Sequence, residues 1–306
     1  MGYRSSYVLV TPVREEAGLL DELAATVRAQ DRRPELWVIV DDGSTDDTAN
    51  RLRRLQSRDP WIHGVTLPRT ARGDPRRPAQ LVTAGFRHAA ELAEAEGIDH
   101  RYVVNLDADL RCPPGLITEL IERAERDRNV GIVSCVVAEV ADDGRVERHR
   151  EVVDGMPRAD LRVWRRACVE EVGMQPAPRW AETTGLRARN RGWSTLVYDD
   201  LVVEAATPGV VRDAWQGFRS DGAEGWEVGM HPLVLAGQVV TAAVQDRDLR
   251  RVAMLAGYME AAISGKRRSH DPELREYFGE GLLRAQARTL LSRVPMVGRR
   301  FRRRQS

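Results

Sequence analysis

The sequence predicts an α/β protein with a mainly parallel sheet flanked by helices and a helical C-terminal extension. Three observations carry this reading. Over the first 110 residues short apolar runs alternate with amphipathic stretches, the connections between them are short, and from Pro208 the pattern turns helical with little strand signal. A chain of 306 residues has room for one large α/β domain or two smaller ones.

The elements follow in order. Tyr7–Thr11 is a short buried strand, and Glu16–Gln30 carries Leu19, Leu20, Leu23 and Val27 at helical spacing. Glu35–Val40 is a second strand. Ser44–Asp47 then caps a helix that runs to about Ser57, with Ala49, Leu52 and Leu55 on one side. Trp61–Leu67 is a third strand. A loop rich in Arg, Pro and Gly (Pro68–Pro78) leads into a helix over about Ala79–Ala95, and Arg101–Leu106 is a fourth strand. The middle third reads as strands at Gly131–Ala138, Val146–Val153, Asp160–Trp164 and Ser194–Tyr198, with helices at Arg165–Val172 and Glu182–Asn190.

Ligands of open α/β sheets sit beyond the carboxyl ends of the strands. Three polar clusters fall at those ends: Thr11–Glu15, Asp41–Thr45 and Asp107-Ala-Asp109. Alternate residues at a strand end point the same way, so Asp107 and Asp109 can face one space. Two carboxylates brought together repel unless a cation or a proton joins them. Mg²⁺ or Mn²⁺ solves this by taking one or two carboxylates along with diphosphate oxygens. In the second cluster, capping of the following helix accounts for Ser44, Thr45 and Asp46. It leaves Asp41 and Asp42, carboxylates able to accept hydrogen bonds from a base N–H or a ribose hydroxyl.

Val10-Thr-Pro-Val-Arg-Glu-Glu16, Val40-Asp-Asp-Gly-Ser-Thr-Asp46 and Leu106-Asp-Ala-Asp109 resemble the GT-A-fold family 2 glycosyltransferases. The resemblance continues through Leu161–Gly173 and covers roughly residues 5 to 205. It implies a GT-A fold with a Rossmann-like, mainly parallel sheet. It also implies a glycosyltransferase domain over 1–205, with a nucleotide-binding half (1–110) and an acceptor half (111–205), before a helical region over 206–306. Position by position it implies that Thr11, Pro12 and Glu15 line a nucleoside pocket and that Asp41 or Asp42 holds the base. Asp107 would contact ribose or metal-bound water, and Asp109 would ligate the metal. One arginine of the loop Arg69–Arg77 would meet the diphosphate, with Arg72 and Arg76 the candidates.

An inverting transferase needs a carboxylate to take the proton of the attacking acceptor hydroxyl. Relatives place it in a Glu-Asp pair before a helix containing Leu and Arg. In Trp180-Ala-Glu-Thr-Thr-Gly-Leu-Arg-Ala-Arg189 the pair is Glu182 and Thr183, so Glu182 is either the base or a helix-capping residue. Asp160 and Asp199 are the alternatives. The helix after the arginine loop departs too, reading Gln80-Leu-Val-Thr-Ala-Gly85 where relatives often carry Asn-x-Gly. His231, in Gly229-Met-His-Pro232, is either a further metal ligand or a helix-start residue.

Composition narrows the class. The net charge of +1 hides an asymmetry: residues 1–264 hold 35 basic and 42 acidic side chains, and from Gly265 onward there are 12 and 4. Lys266 is the only lysine, which excludes mechanisms needing a lysine in the N-terminal half, such as that of a phospho-acceptor signalling domain. Neither a G-x-G-x-x-G nor a P-loop follows a strand, and the three cysteines and six histidines lack zinc spacing. No signal peptide or spanning segment is expected, which suggests a cytoplasmic protein, soluble or peripheral on the inner face of the membrane. From Gly281 leucines and valines interleave with arginines, ending Arg299-Arg-Phe-Arg-Arg-Arg304. That end reads as an element for an anionic membrane surface, or as a docked helix with a basic tail. The acidic body offers no face to nucleic acid.

The expected activity is transfer of one sugar from a nucleotide-diphosphate sugar, UDP-linked by family habit, to a hydroxyl of a glycan or lipid-linked glycan. The processive synthases' Gln-x-x-Arg-Trp is interrupted here as Arg191-Gly-Trp193. The competing expectation is a nucleotide-sugar-binding partner or regulatory protein, catalytically degenerate at Thr183.

Overall fold

The computed structural model describes residues 6–70, 74–140, 146–149, 156–157, 159–205, 214–246 and 249–286. The chain divides into two compact units, Met1–Arg212 and Asp213–Ser306.

The first unit opens with the alternation expected of it: β1 (Tyr7–Val13), α1 (Leu20–Arg28), β2 (Leu36–Asp41), α2 (Thr48–Arg58), β3 (Ile62–Thr66), α3 (Arg77–Glu96) and β4 (Tyr102–Leu106). It continues through β5 (Leu110–Arg111), α4 (Leu116–Glu125), β6 (Val130–Val140), β7 (Val146–His149), β8 (Leu161–Arg165), α5 (Arg166–Val172), α6 (Trp180–Asn190) and β9 (Ser194–Ala205). The helix α4 and the short β5 have no counterpart among the expected elements, and β9 runs seven residues beyond the expected Tyr198.

The strands form one sheet in the order β3-β2-β1-β4-β8-β6-β9-β5, with β7 paired to β6. From β3 to β4 every pairing is parallel. Beyond β4 the sheet is mixed: β8 is antiparallel to both β4 and β6, and β6 is parallel to β9. The period of two along a strand sends alternate side chains to opposite faces. In β1, Tyr7 and Leu9 join Trp37, Ile39 and the apolar sides of α1, α2 and α4. Val8 and Val10 join Val38, Val40, Phe86 and Trp164 under α3, α5 and α6. α3 sits close because Gly85 has no side chain: a Cβ there would lie 2.3 Å from a methyl of Val10 and 2.9 Å from one of Val40. Cys112, Cys135 and Cys168 are buried thiols, and burial pushes all three up, away from nucleophilic use.

The second unit is helical among its described residues: α7 (Ala214–Glu227), α8 (Pro232–Thr241), α9 (Val252–Ile263) and α10 (Pro272–Arg275). α7 and α9 meet backbone to backbone at two glycines. A Cβ on Gly222 would lie 1.9 Å from the Met254 carbonyl, and one on Gly257 1.8 Å from that of Arg219. Among the described residues no helix is long and apolar enough to cross a membrane. Residues 287–306, which include the arginine-rich end Arg299–Arg304, lie outside the described residues.

Candidate nucleotide and metal site

β1 and β2 end side by side, with Val13 opposite Asp41. The loops that leave them are knitted together. Asp41 is buried, and its Oδ1 accepts the Ser44 N–H (3.0 Å) and hydroxyl (2.5 Å), closing a tight turn over Gly43. Gly43 has a φ of 62°, and a Cβ there would fall 2.7–2.9 Å from Arg69, so this turn requires glycine. The Ser44 hydroxyl then accepts the Glu15 N–H (2.9 Å), Thr48 Oγ1 accepts the Glu16 N–H (2.9 Å), and Asp46 accepts the N–H groups of Ala17 and Thr48. Glu15, at a φ of 59°, accepts from the Thr45 N–H and hydroxyl and from Arg69 Nη1 at 2.5 Å. Arg69, then Thr45, hold the Glu15 carboxyl down at about 2. Burial would raise that of Asp46, but its bonds from Thr48 and Ala17 keep it below the usual range.

This web differs from the sequence expectation in one respect. Ser44 and Thr45 bind the β1 loop instead of capping α2, and of the expected capping residues only Asp46 accepts an α2 amide, that of Thr48.

Asp42 is 2% exposed and lies between two arginines. Arg14 Nη1 donates to its Oδ2 at 2.8 Å, and Arg77 donates from Nε (2.8 Å) and Nη2 (2.5 Å) to its Oδ1. The same arginines reach the carbonyls of Thr70 and Pro68. Neither arginine is a named candidate from the sequence, although Arg14 lies inside the first motif and Arg77 ends the loop Arg69–Arg77, one of whose arginines is expected at the diphosphate. Thr11 is fully buried and accepts the Trp37 indole N–H at 3.0 Å, so its side chain belongs to the core; Pro12, its neighbour, is partly exposed. Arg76 is exposed, its N–H donating to Asp74. Arg72 lies outside the described residues.

The strand β4 ends at Leu106, so Asp107 and Asp109 belong to a turn closed by the Leu110 N–H on the Asp107 carbonyl (3.3 Å). Strand alternation is therefore not what brings them together. Asp107 is half-buried and donates its N–H to the Asp160 carbonyl at 2.8 Å; Asp109 is exposed. Because β8 is antiparallel to β4, the end of one strand lies beside the start of the other, with Leu106 opposite Leu161. The first turn of α6 is tied to this place, since Arg162 Nη1 donates to the Ala181 carbonyl at 2.9 Å. Glu182 is in that turn, about a quarter exposed, and pairs with Arg179 Nη1 at 3.0 Å. Thr183, at the position of the missing Asp, is buried with its hydroxyl on the Pro178 carbonyl.

The chemistry of Asp107 and Asp109, two carboxylates in one turn, fits a hard cation. Among the described residues no group of three or more His, Cys, Asp or Glu could by itself cage a metal. His231 lies in the second unit and caps α8, its Nδ1 accepting the Leu233 N–H at 3.2 Å ahead of Pro232; this accounts for the histidine.

Comparison with known proteins places this architecture. The chain is similar to the undecaprenyl-phosphate 4-deoxy-4-formamido-L-arabinose transferase of Pseudomonas syringae pv. syringae, 33% identical over 127 residues that make up 40% of this chain and 33% of that protein. It is 30% identical to the protein of the same name from Edwardsiella ictaluri over 152 residues, 48% of this chain and 42% of that one. The chain thus spans between a third and somewhat over two fifths of the length of these relatives. Among solved structures it is similar to a mannosyltransferase of Pyrobaculum calidifontis in complex with GDP-Man and Mn²⁺, with a TM-score of 0.54 over 94% of this chain and 81% of that one. At 19% identity that likeness shows the fold, which is GT-A. The model of the family described as Glycosyl transferase family 2 matches residues 8–194, more than half of the sequence, and the chain belongs to that family.

Proposed function

We propose that the protein is a metal-dependent inverting glycosyltransferase that moves a single sugar from a nucleotide-diphosphate sugar to an acceptor hydroxyl on a glycan or lipid-linked glycan. The observation that carries the reading is the tie, through Arg162 of β8, between the strand pair that leads into the β4 turn with its two carboxylates and the first turn of α6 with Glu182. Residues 1–110 serve the nucleotide and residues 111–205 the acceptor. The web joining Glu15, Asp41 and Ser44 shapes the nucleoside side, with Pro12 at its border. Asp42 holds Arg14 and Arg77 near the diphosphate side; Arg76, and Arg72 beyond the described residues, are further arginines for it.

Asp109, with Asp107 beside it, would hold Mg²⁺ or Mn²⁺, and the similar mannosyltransferase is recorded with Mn²⁺. When bound, the cation supplies charge neutralisation to the departing nucleoside diphosphate. Glu182 takes the proton of the acceptor hydroxyl as that oxygen attacks the anomeric carbon, and Arg179 orients the carboxylate. UDP is the first nucleotide to try. The helical unit, with Leu233, Val240, Val244 and Ile263 exposed, and the basic end hold the enzyme against an anionic membrane on its cytoplasmic side.

The names of the curated relatives favour a second acceptor, a lipid phosphate. A phosphate oxygen is largely ionised near neutral pH and needs no base, and Arg179 would then meet it. Glu182→Gln separates the two. With a hydroxyl acceptor, turnover falls by roughly two to four orders of magnitude at unchanged affinity for UDP plus Mn²⁺ in titration calorimetry. Near-normal turnover of a UDP-sugar onto undecaprenyl phosphate by this variant sinks the base assignment. Binding with no turnover by the unaltered protein, across UDP-, GDP-, CDP- and TDP-sugars and both acceptor types, identifies a nucleotide-sugar-binding protein instead.

A further inference from the structure

Among the described arginines of the first unit Arg162 stands apart in being buried. It is the second residue of β8, with no exposure, on the sheet face otherwise lined by Val103, Trp164, Ala181 and Ala188. Its guanidinium lies 5.4 Å from the ring centroids of both Trp164 and Trp180. Nη1 donates to the carbonyl of Ala181, and Nη2 to that of Pro157. Burying a guanidinium costs several kcal/mol, and an apolar side chain of similar volume fills such a place without that cost. The charge therefore calls for a reason other than packing.

What it joins supplies one. Arg162 is opposite Asn105 across the β4–β8 pairing. Asn105 accepts the Trp164 indole N–H at 2.9 Å and donates to the Ala159 carbonyl at 2.5 Å. Two residues on from Asn105 is Asp107, whose N–H is held by Asp160. Two residues before Ala181 is Arg179, and one after it is Glu182. A continuous set of buried contacts thus runs from the strand that delivers Asp107 and Asp109, through Asn105, Trp164 and the Arg162 fork, to the opening turn of α6. A planar fork held between two rings fixes direction as well as distance.

We propose that Arg162 is a positioning residue that sets the first turn of α6, with Arg179 and Glu182, against the β4 turn. This rests on the acceptor-side role given above to that turn, whichever of the two residues acts. Arg162→Lys keeps the charge but replaces the planar fork by a single nitrogen, so the directions of the two carbonyl bonds are no longer fixed. The expected result is a fall in kcat of about tenfold or more, since displacement of a reacting group by an ångström costs on that order, with the donor KM and the calorimetric Kd for UDP plus Mn²⁺ unchanged. Trp180→Leu removes one ring from the guanidinium and leaves both carbonyl bonds, and gives the same pattern to a smaller degree; it serves if the lysine variant does not fold. In a Glu182→Gln background, Arg162→Lys adds little further loss, as expected of residues acting in one unit. Turnover within about twofold of the unaltered protein, or donor affinity falling in step with turnover, overturns the proposal. Where Glu182→Gln by itself lowers turnover strongly, multiplied losses in the double variant overturn the proposal too. Near-normal turnover by Glu182→Gln alone refutes only the base assignment, because the Arg162 effect on kcat is read independently.

Discussion

The ion triad around Asp42 makes a quantitative prediction about stability. Asp42→Asn keeps the shape of the side chain and removes its charge, leaving the Arg14 and Arg77 guanidinium groups facing each other without the carboxylate between them. The carboxylate side chain is 2% exposed and the two arginines 20% and 12%. Breaking a buried pair by removing one partner costs about 3–5 kcal/mol, and the partial exposure of the arginines places this site at the lower end, about 3 kcal/mol. For a unit of this size each kcal/mol is worth about 2–4 °C, so Tm should fall by about 6–12 °C. The control is Asp21→Asn, which breaks a pair with Arg51 in which the acid is 63% exposed. Exposed pairs are worth at most about 1 kcal/mol, and the control should shift Tm by no more than a few degrees. Near-ultraviolet circular dichroism follows the transition through the stacked Trp37 and Trp61 rings of the first unit, whose centroids are 5.9 Å apart. If Asp42→Asn lowers Tm no further than Asp21→Asn, the triad is not the clamp described above.

Three further outcomes follow from the geometry. Gly85→Ala drives a methyl into Val10 and Val40 and should cost about 1–3 kcal/mol in urea unfolding; a cost below about 0.5 kcal/mol would show that α3 shifts freely over the sheet. The Glu15 carboxyl is depressed in the folded state, so its pairing with Arg69 contributes fully above its ordinary value of 4.5 and is lost as pH falls towards about 2. The stability difference between the unaltered protein and Glu15→Gln should therefore shrink from pH 6 to pH 2, whereas a constant difference contradicts the assignment. Asp109→Asn should weaken Mn²⁺ binding measured in the presence of UDP by at least about tenfold, as expected for loss of a carboxylate ligand; unchanged Mn²⁺ affinity would remove Asp109 from the metal site.

Much of the first unit was legible because its signals are local. The apolar runs of β1, β2 and β4 are bounded by turn residues, and the periodicities of α1, α2 and α3 are carried by residues three and four apart. Leu116, Ile117, Leu120 and Ile121 have the same spacing and form the buried side of α4, the one local signal that has no counterpart among the expected helices. At the site, the motifs located the sheet edge but not the bonding within it. Asp42 finds its partners 28 and 35 residues away, and Glu15 finds Arg69 at 54, so only the folded chain reveals that these acids bind arginines. Ser44 and Thr45 satisfy the local rule for helix caps and serve the neighbouring loop instead, because β1 and β2 are adjacent in the sheet. Arg162 offered no signal: within Leu161-Arg-Val-Trp-Arg165 an arginine on a strand reads as solvent-facing, and its burial depends on Trp180 arriving from α6.

The reversal of strand direction between β4 and β8 bears on how such a protein diversifies. In an all-parallel sheet, every loop at the carboxyl edge is a strand-to-helix connection. Here Ala159 and Asp160, which lead into β8, and the turn opening α6 lie on chain that comes after the β4 turn. The donor-side and acceptor-side loops proposed above are therefore carried by separate stretches of chain. Under the function proposed above, substitution or insertion in the later stretch changes the acceptor side and leaves untouched the web of Glu15, Asp41 and Ser44.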